Sequence, residues 1–139
     1  MATFNKFQPF VEALAEKVHN LGSDTLKVML SNTAPSAANG VKADITEISA
    51  GNGYTAGGNT VTITSSSQTS GTYKLVGDDV TFGPMTGSVG PLRYAVLYNS
   101  TPAAGNLIGW WDYGSSITLA SGDSFVVDFD PSNGILTLV

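Results

Sequence analysis

The chain has 139 residues, of which 12% are charged, and it carries a formal net charge of -5. This length suits one domain spanning 1–139, and the absence of cysteine excludes a disulfide scaffold and a thiolate metal site. The acidic balance and the low charge content disfavour nonspecific nucleic-acid binding, because phosphates are held by clustered lysine and arginine.

An amphipathic helix is the first predicted element. Apolar residues near the N-terminus recur at spacings of three and four, which gathers their side chains on one face of a helix. They are Phe4, Phe7, Phe10, Val11, Leu14, Val18 and Leu21. Proline is tolerated in a first helical turn and glycine favours a helix end, so Pro9 and Gly22 set the predicted helix to residues 6–21.

The apolar stripe on this helix needs a cover, because an exposed stripe would be a solubility liability. We expect either the sheet or a second copy of the chain to cover it, with a symmetric homodimer as the expected oligomer. The residues concerned, which are candidate interface residues, are Phe7, Val11, Leu14 and Val18.

In the first predicted strand, Leu26, Val28 and Leu30 alternate with residues nearer solvent. A glycine-dense loop follows later in the chain. From Ile45 to Asn59 the sequence reads ITEISAGNGYTAGGN, and its glycines permit positive φ angles. The segment matches the permissive form GxGxx(G/A), but a dinucleotide fingerprint opens a helix, and a strand pattern follows here. A P-loop would also need a lysine followed by serine or threonine after the glycines. The loop is therefore predicted to serve the architecture of the domain.

After this loop the period of two continues to the C-terminus. Seven further strands are predicted, separated by turns such as Ser-Gly, Gly-Asp, Gly-Pro and Ser-Asn-Gly. They span 60–65, 72–76, 79–82, 92–99, 106–112, 124–129 and 134–138. With the strand at 26–30 they make eight, and residues 117–119 would add a ninth. This pattern predicts a two-sheet antiparallel sandwich over residues 25–139, with jelly-roll or immunoglobulin-like connections both open.

Two adjacent tryptophans lie in one of these strands. Successive side chains of a strand point to opposite faces, so Trp110 and Trp111 face opposite sides of the sheet. If one fills the core, the other meets solvent, the helix or a second chain. Trp110, Trp111 and Tyr113 are therefore candidate interface residues, although the sequence leaves open whether both faces are covered within one chain.

Residues that could carry chemistry are few and scattered. His19, the single histidine, lies one position off the apolar stripe, where we expect a partly exposed or capping role. Five aspartates could supply oxygen ligands for calcium, which loops often bind. They are Asp78, Asp79, Asp123, Asp128 and Asp130. Because Asp123 and Asp130 occupy favourable turn positions, we predict that they form local turns. Since no other set of residues matches a known site, we also predict no catalytic residue, no cofactor, no metal site and no enzyme activity.

No targeting or membrane segment is predicted. The N-terminal sequence MATFNKFQPF lacks the apolar core of a secretory signal, and no run approaches the roughly 18–20 apolar residues that span a bilayer. We therefore expect synthesis in the cytoplasm and no membrane partner.

Three segments together carry a resemblance to a protein family. They are GNGYTAGG at 51–58, RYAVLYN at 93–99 and LIGWWDYG at 107–114. This combination resembles small structural proteins of tailed bacteriophages, in particular the proteins that cement or decorate a capsid. The resemblance implies a jelly-roll-like fold and a place on the exterior of the virion. There the protein would bridge subunits of the major capsid protein after synthesis in the host cytoplasm.

Two other functions compete with this one. A tail-fibre or receptor-binding module that recognises carbohydrate could use Trp111, Tyr113 and Tyr54 as stacking platforms. A small hydrolase would need a catalytic pair, which the sequence does not identify. The resemblance is what favours capsid decoration over both.

Overall fold

The computed structural model, which describes residues 2–139, is mainly β with antiparallel sheets and one α-helix near the N-terminus. This is the class that the sequence predicts. Within the described residues, a short strand precedes the helix, and nine strands and one 3₁₀ turn follow it. The bounds are β1 Asn5–Lys6, α1 Gln8–Ala15, β2 Leu26–Ser31, the 3₁₀ turn Lys42–Asp44, β3 Asn59–Thr60, β4 Ile63–Thr69, β5 Thr72–Gly77, β6 Val80–Phe82, β7 Val89–Asn99, β8 Leu107–Leu119, β9 Phe125–Val127 and β10 Leu136–Leu138.

The strands of the described chain hydrogen-bond in three sheets, whereas we expected two. A five-stranded sheet has the order β1-β8-β7-β2-β3, a three-stranded sheet has the order β10-β5-β4, and β6 pairs with β9. The predicted antiparallel class is confirmed, and a sandwich of packed sheets is consistent with it. Ten strands replace the eight or nine expected, because β1 and β3 have only two residues each and carry no readable periodicity.

The two longest strands, β7 and β8, are neighbours within the five-stranded sheet. β8 includes residues 117–119, which we predicted as a separate ninth strand. Its register with β7 shifts where residues 113–116 of β8 lie opposite Arg93 alone. Such a bulge bends a strand and re-aims its side chains, and Gly114, with φ of 103°, supplies the conformation it needs. Tyr113 lies at this bulge.

The alternation predicted for β2 holds for its apolar residues but not for its solvent face. Leu26, Val28 and Leu30 are fully buried, as expected, and Met29 between them is fully buried too. The prediction of a face nearer solvent was therefore wrong, because other parts of the chain cover both sides of this strand.

The helix is shorter than predicted, spanning Gln8–Ala15 instead of 6–21. Pro9 lies in its first turn, as expected. The helix ends because Lys17 adopts a left-handed φ of 68°, while its amide and the next one donate back to carbonyl groups of the last turn. This ending satisfies carbonyl groups that would otherwise lack partners. Gly22, which we predicted as the end of the helix, lies beyond it.

Candidate functional site

The glycine-dense loop is held by hydrogen bonds around Tyr54, which is 3% exposed. The Tyr54 hydroxyl donates to Glu47 Oε2 over 2.7 Å and accepts from the amide of Leu30 in β2 over 3.1 Å. The same carboxylate oxygen accepts from the amide of Gly57, whose carbonyl accepts from the hydroxyl of Tyr98 in β7. Burial is the main cause that raises the pKa of Tyr54, and the neighbouring Glu47 carboxylate adds to the effect. The loop therefore ties β2 to β7, and Tyr54 is not free to stack on a ligand.

His19 is buried, contrary to the expectation of partial exposure, because the chain leaves the helix before reaching it. The Asn99 side-chain amide lies 3.1 Å from His19 Nδ1 and donates to Asp24 Oδ2 over 2.7 Å. Asn99 Oδ1 accepts from the backbone amide of Thr101, which fixes the orientation of the Asn99 amide. Nδ1 therefore accepts, and the proton of the neutral ring sits on Nε2, which has no hydrogen-bond partner within residues 2–139. Burial lowers the pKa of His19, and the negative charge of Asp24 opposes part of that shift.

This arrangement predicts that acid destabilises the fold through His19. The unfolded chain binds the imidazole proton at about pH 6.5, whereas the folded chain binds it only at lower pH, so stability falls as the pH drops below about 6.5. We expect the urea midpoint to decrease from pH 7.5 to pH 5.5, and to decrease less in the variant His19→Gln. Equal decreases in both proteins would show that His19 does not set this pH dependence.

Three of the aspartates considered as calcium ligands accept hydrogen bonds from backbone amides, and the other two lie at the surface. Asp123 Oδ2 accepts from the amide of Ala120 over 2.9 Å, and Asp130 Oδ1 accepts from two backbone amides over 2.7 and 3.0 Å. These are the contacts expected at turn positions. Asp78 and Asp128 are exposed, and Asp79, also exposed, accepts from the amide of Phe129 over 2.9 Å. Residues 2–139 contain no group of three or more His, Asp or Glu side chains that could hold a metal ion.

The two adjacent tryptophans of β8 are each half-buried and have different partners. Trp110 packs against Phe7, next to the helix, with ring centroids 4.6 Å apart. Trp111 packs against Phe4 and Phe129, at 5.4 and 5.5 Å. Because successive side chains of a strand point to opposite faces, the helix lies on the Trp110 face of β8 and the other rings lie on the Trp111 face.

A cleft of about 350 Å³ lies on the Trp111 face. Trp111 and Tyr113 line it from β8, and Phe125 and Val126 line it from β9. The ring of Tyr113 lies 5.6 Å from that of Phe125, with 54° between their planes. Tyr113 is 56% exposed and Val126 is 49% exposed, so this apolar surface is open to solvent.

Two charged side chains, those of Arg93 and Asp128, also line the cleft. Arg93 forms a two-pronged ion pair with Asp112, in which Nε lies 2.8 Å from Oδ1 and Nη2 lies 3.1 Å from Oδ2. The hydrogen bond from Arg93, followed by that from the amide of Gly114, lowers the pKa of Asp112, and the same hydrogen bond raises the pKa of Arg93. Both shifts favour the ionised pair, which holds the guanidinium group at the cleft.

A second apolar surface lies on and just beyond α1. Val11 is 51% exposed, Val18 is 37% exposed and Leu14 is half-buried, and we name these three residues the helix patch. Phe7, which we predicted to share this surface, is fully buried against Trp110 and is not part of it. Because α1 lies on the Trp110 face of β8, the helix patch and the cleft lie on opposite faces of the five-stranded sheet.

Sequence reasoning found part of the cleft and missed the rest. Trp111 and Tyr113 were predicted as candidate interface and stacking residues, and both line the cleft. Arg93, Phe125 and Val126 were not predicted, because they come from two other strands that only the folded chain brings beside β8.

A scan against protein-family models gave no match, and neither curated proteins nor solved structures gave one. Within residues 2–139, no helix has the length and hydropathy that a bilayer crossing requires. The one α-helix in that range, α1, has eight residues.

Proposed function

We propose that this protein is a structural component of a tailed-phage virion, which decorates the exterior of the capsid and bridges subunits of the major capsid protein. The observation that carries the proposal is that the three segments behind the resemblance contact one another. The Tyr98 hydroxyl of RYAVLYN donates to the Gly57 carbonyl of GNGYTAGG. The same strand pairs with LIGWWDYG, with Val96 opposite Trp110 and Ala95 opposite Trp111.

These contacts indicate which properties of the phage family the resemblance supports for this chain. Residues of the three segments pair in neighbouring strands, hydrogen-bond the loop to a strand and fill the core. Residues with these roles specify the fold. Tyr98, Ala95 and Val96 are all buried, as is Tyr54. A resemblance carried by such residues supports a shared architecture, and with it a structural role in the particle, more directly than it supports a shared reaction.

The helix patch is the surface that we assign to the capsid. It is aliphatic, and exposed apolar surface of this kind gains free energy when a partner removes it from water. The low charge content of the chain fits an interface centred on apolar contacts, since charged residues are depleted at the centre of interfaces. With the helix patch seated on the capsid, the opposite face of the five-stranded sheet would point outward.

The change Val11→Asp tests this assignment. Burying a carboxylate in an apolar interface is costly, so we expect capsid binding to weaken by at least tenfold, or about 1.4 kcal/mol. Because Val11 is exposed in the monomer, the thermal midpoint of the variant should differ little from that of the wild type. Particles assembled with this variant should release DNA at a lower temperature or under milder osmotic shock, yet adsorb normally to cells.

Val126→Asp is the matched control, because Val126 has nearly the same exposure as Val11 but lines the cleft, on the other side of the five-stranded sheet from the helix patch. It should leave capsid binding and particle endurance unchanged. If particles that lack the protein keep normal resistance to heat and osmotic shock but fail to adsorb to cells, the tail-fibre or receptor-binding function is favoured instead.

A second copy of the chain, in a symmetric dimer, is the competing occupant of the helix patch. In that case Val11→Asp would reduce the mass of the protein in solution before any capsid is added.

A further inference from the structure

The cleft between β8 and β9 combines exposed aromatic surface with a fixed polar group. Trp111 and Tyr113 share one face of β8, and Phe125 braces Tyr113 from β9. Two aromatic rings spaced along one strand form a platform on which the flat C–H face of another ring can stack. The volume of about 350 Å³ lies within the range of about 300–1,000 Å³ that is typical of small-molecule sites.

The guanidinium group of Arg93 at the cleft is already oriented by its ion pair with Asp112. A guanidinium group has five N–H donors, and the ion pair with Asp112 uses two of them, which leaves three for a ligand. Asp128 is exposed and lines the same cleft, so its carboxylate can supply acceptor oxygens to a ligand there. The cleft therefore offers both donors and acceptors beside an apolar platform.

Charge selects among the ligands that such a cleft could take. Asp112 neutralises Arg93, so Asp128 leaves the site with one net negative charge, and the chain as a whole carries -5. An anionic ligand is thus opposed by Asp128 and by the overall field. A cationic ligand would suit the aromatic rings and Asp128, but a simple cation has no acceptor atoms for the N–H donors of Arg93 that the ion pair leaves free. A neutral ligand with many hydroxyl groups meets neither obstacle.

We propose that this cleft binds a neutral pyranose sugar, with the sugar ring stacked on Tyr113 and Trp111 and its hydroxyl groups bonded to Arg93 and Asp128. The site lies on the face opposite the helix patch, so a decorating protein seated by its helix would present the cleft to the outside. The inference goes beyond capsid decoration and does not rest on it, because the sugar site belongs to the isolated chain.

The test titrates the full chain with the methyl β-glycosides of glucose, galactose and N-acetylglucosamine, following the indole N–H signal of Trp111 by NMR. We expect at least one glycoside to shift this signal at millimolar concentration. Tyr113→Ala should weaken its binding about tenfold, which is the upper range for an aromatic stacking contact. Asp128→Asn, which keeps the shape but removes the charge, should weaken it less.

Tyr73→Phe is the control, because Tyr73 lies in β5, outside the cleft, and this change removes only the hydroxyl that contacts Ser66, so the affinity should be unchanged. Tyr113 is more than half exposed, so its replacement should preserve the fold, which the backbone amide signals will verify. The proposal is overturned if none of the three glycosides shifts the Trp111 signal, or if Tyr113→Ala binds them as well as the wild type. A larger response to choline than to every glycoside would also overturn it and assign the cleft to a cation.

Discussion

Replacing Gly58 with alanine is expected to destabilise the fold by about 2–5 kcal/mol, a large part of the roughly 5–15 kcal/mol that stabilises a typical domain. Gly58 has a φ of +77°, which costs a residue with a side chain about 1–2 kcal/mol. A Cβ atom at this position would also overlap the carbonyl group of Val28 and lie 2.8 Å from the Cα of Met29. Both of these residues lie in β2, which pairs with strands on either side, so the backbone cannot easily move. Urea unfolding at pH 7.5 measures the loss.

Gly71→Ala separates the two causes. Gly71 also has a positive φ, of 87°, but a Cβ atom there would meet no other atom within 4 Å. This variant should lose only the conformational part, about 1–2 kcal/mol. If Gly58→Ala lowers the free energy of unfolding no more than Gly71→Ala does, then the close approach of the loop to β2 does not require glycine at position 58.

Replacing Phe7 with alanine is expected to destabilise the fold by about 3–5 kcal/mol, the usual cost of removing a fully buried phenylalanine ring. Phe7 is 0% exposed and packs on Trp110 with ring centroids 4.6 Å apart. Its amide also donates to the carbonyl of Ile108, so the residue joins the start of α1 to β8. The thermal midpoint should fall sharply, and in a Trp111→Phe background the fluorescence of Trp110 should report a more hydrated ring in the folded variant.

Val11→Ala, on the exposed side of the same helix, provides the comparison. Surface substitutions change stability by about 0.5 kcal/mol or less, and Val11 is half exposed. A similar loss in both variants would mean that Phe7 does not hold the helix to the sheet. The two results together would also show which part of the predicted apolar stripe is core and which part is surface.

The apolar stripe near the N-terminus predicted the presence of the helix but not its C-terminal end. The spacing of three and four residues correctly predicted a helix near the N-terminus, because that period follows from helix geometry. It could not locate the helix end. Lys17 takes the left-handed conformation that is usually given to glycine, and the sequence offered Gly22 for that role instead. The error in the helix end carried over to His19, which was placed on a helix face and is instead buried beside Asn99.

The candidate site divides in the same way. Sequence order placed Trp110 and Trp111 on opposite faces of a strand, and the different partners of the two rings agree with this. The sequence could not say what covers each face, because Phe7 and Phe129 approach from elements that lie far apart along the chain. The glycine-dense loop was correctly assigned to architecture, but its contact between Tyr54 and Glu47 could not be foreseen.

By itself, the sequence determined the mainly β class, the presence of one helix near the N-terminus and the turns at Asp123 and Asp130. These are local properties, since strand and helix periods and turn hydrogen bonds depend on residues close together in the chain. Only the tertiary structure decided the division into three sheets, the burial of His19, the cleft beside Arg93 and the separation of the cleft from the helix patch. Each of these depends on which distant strands pair and in what register, and a period of two is the same for every partner.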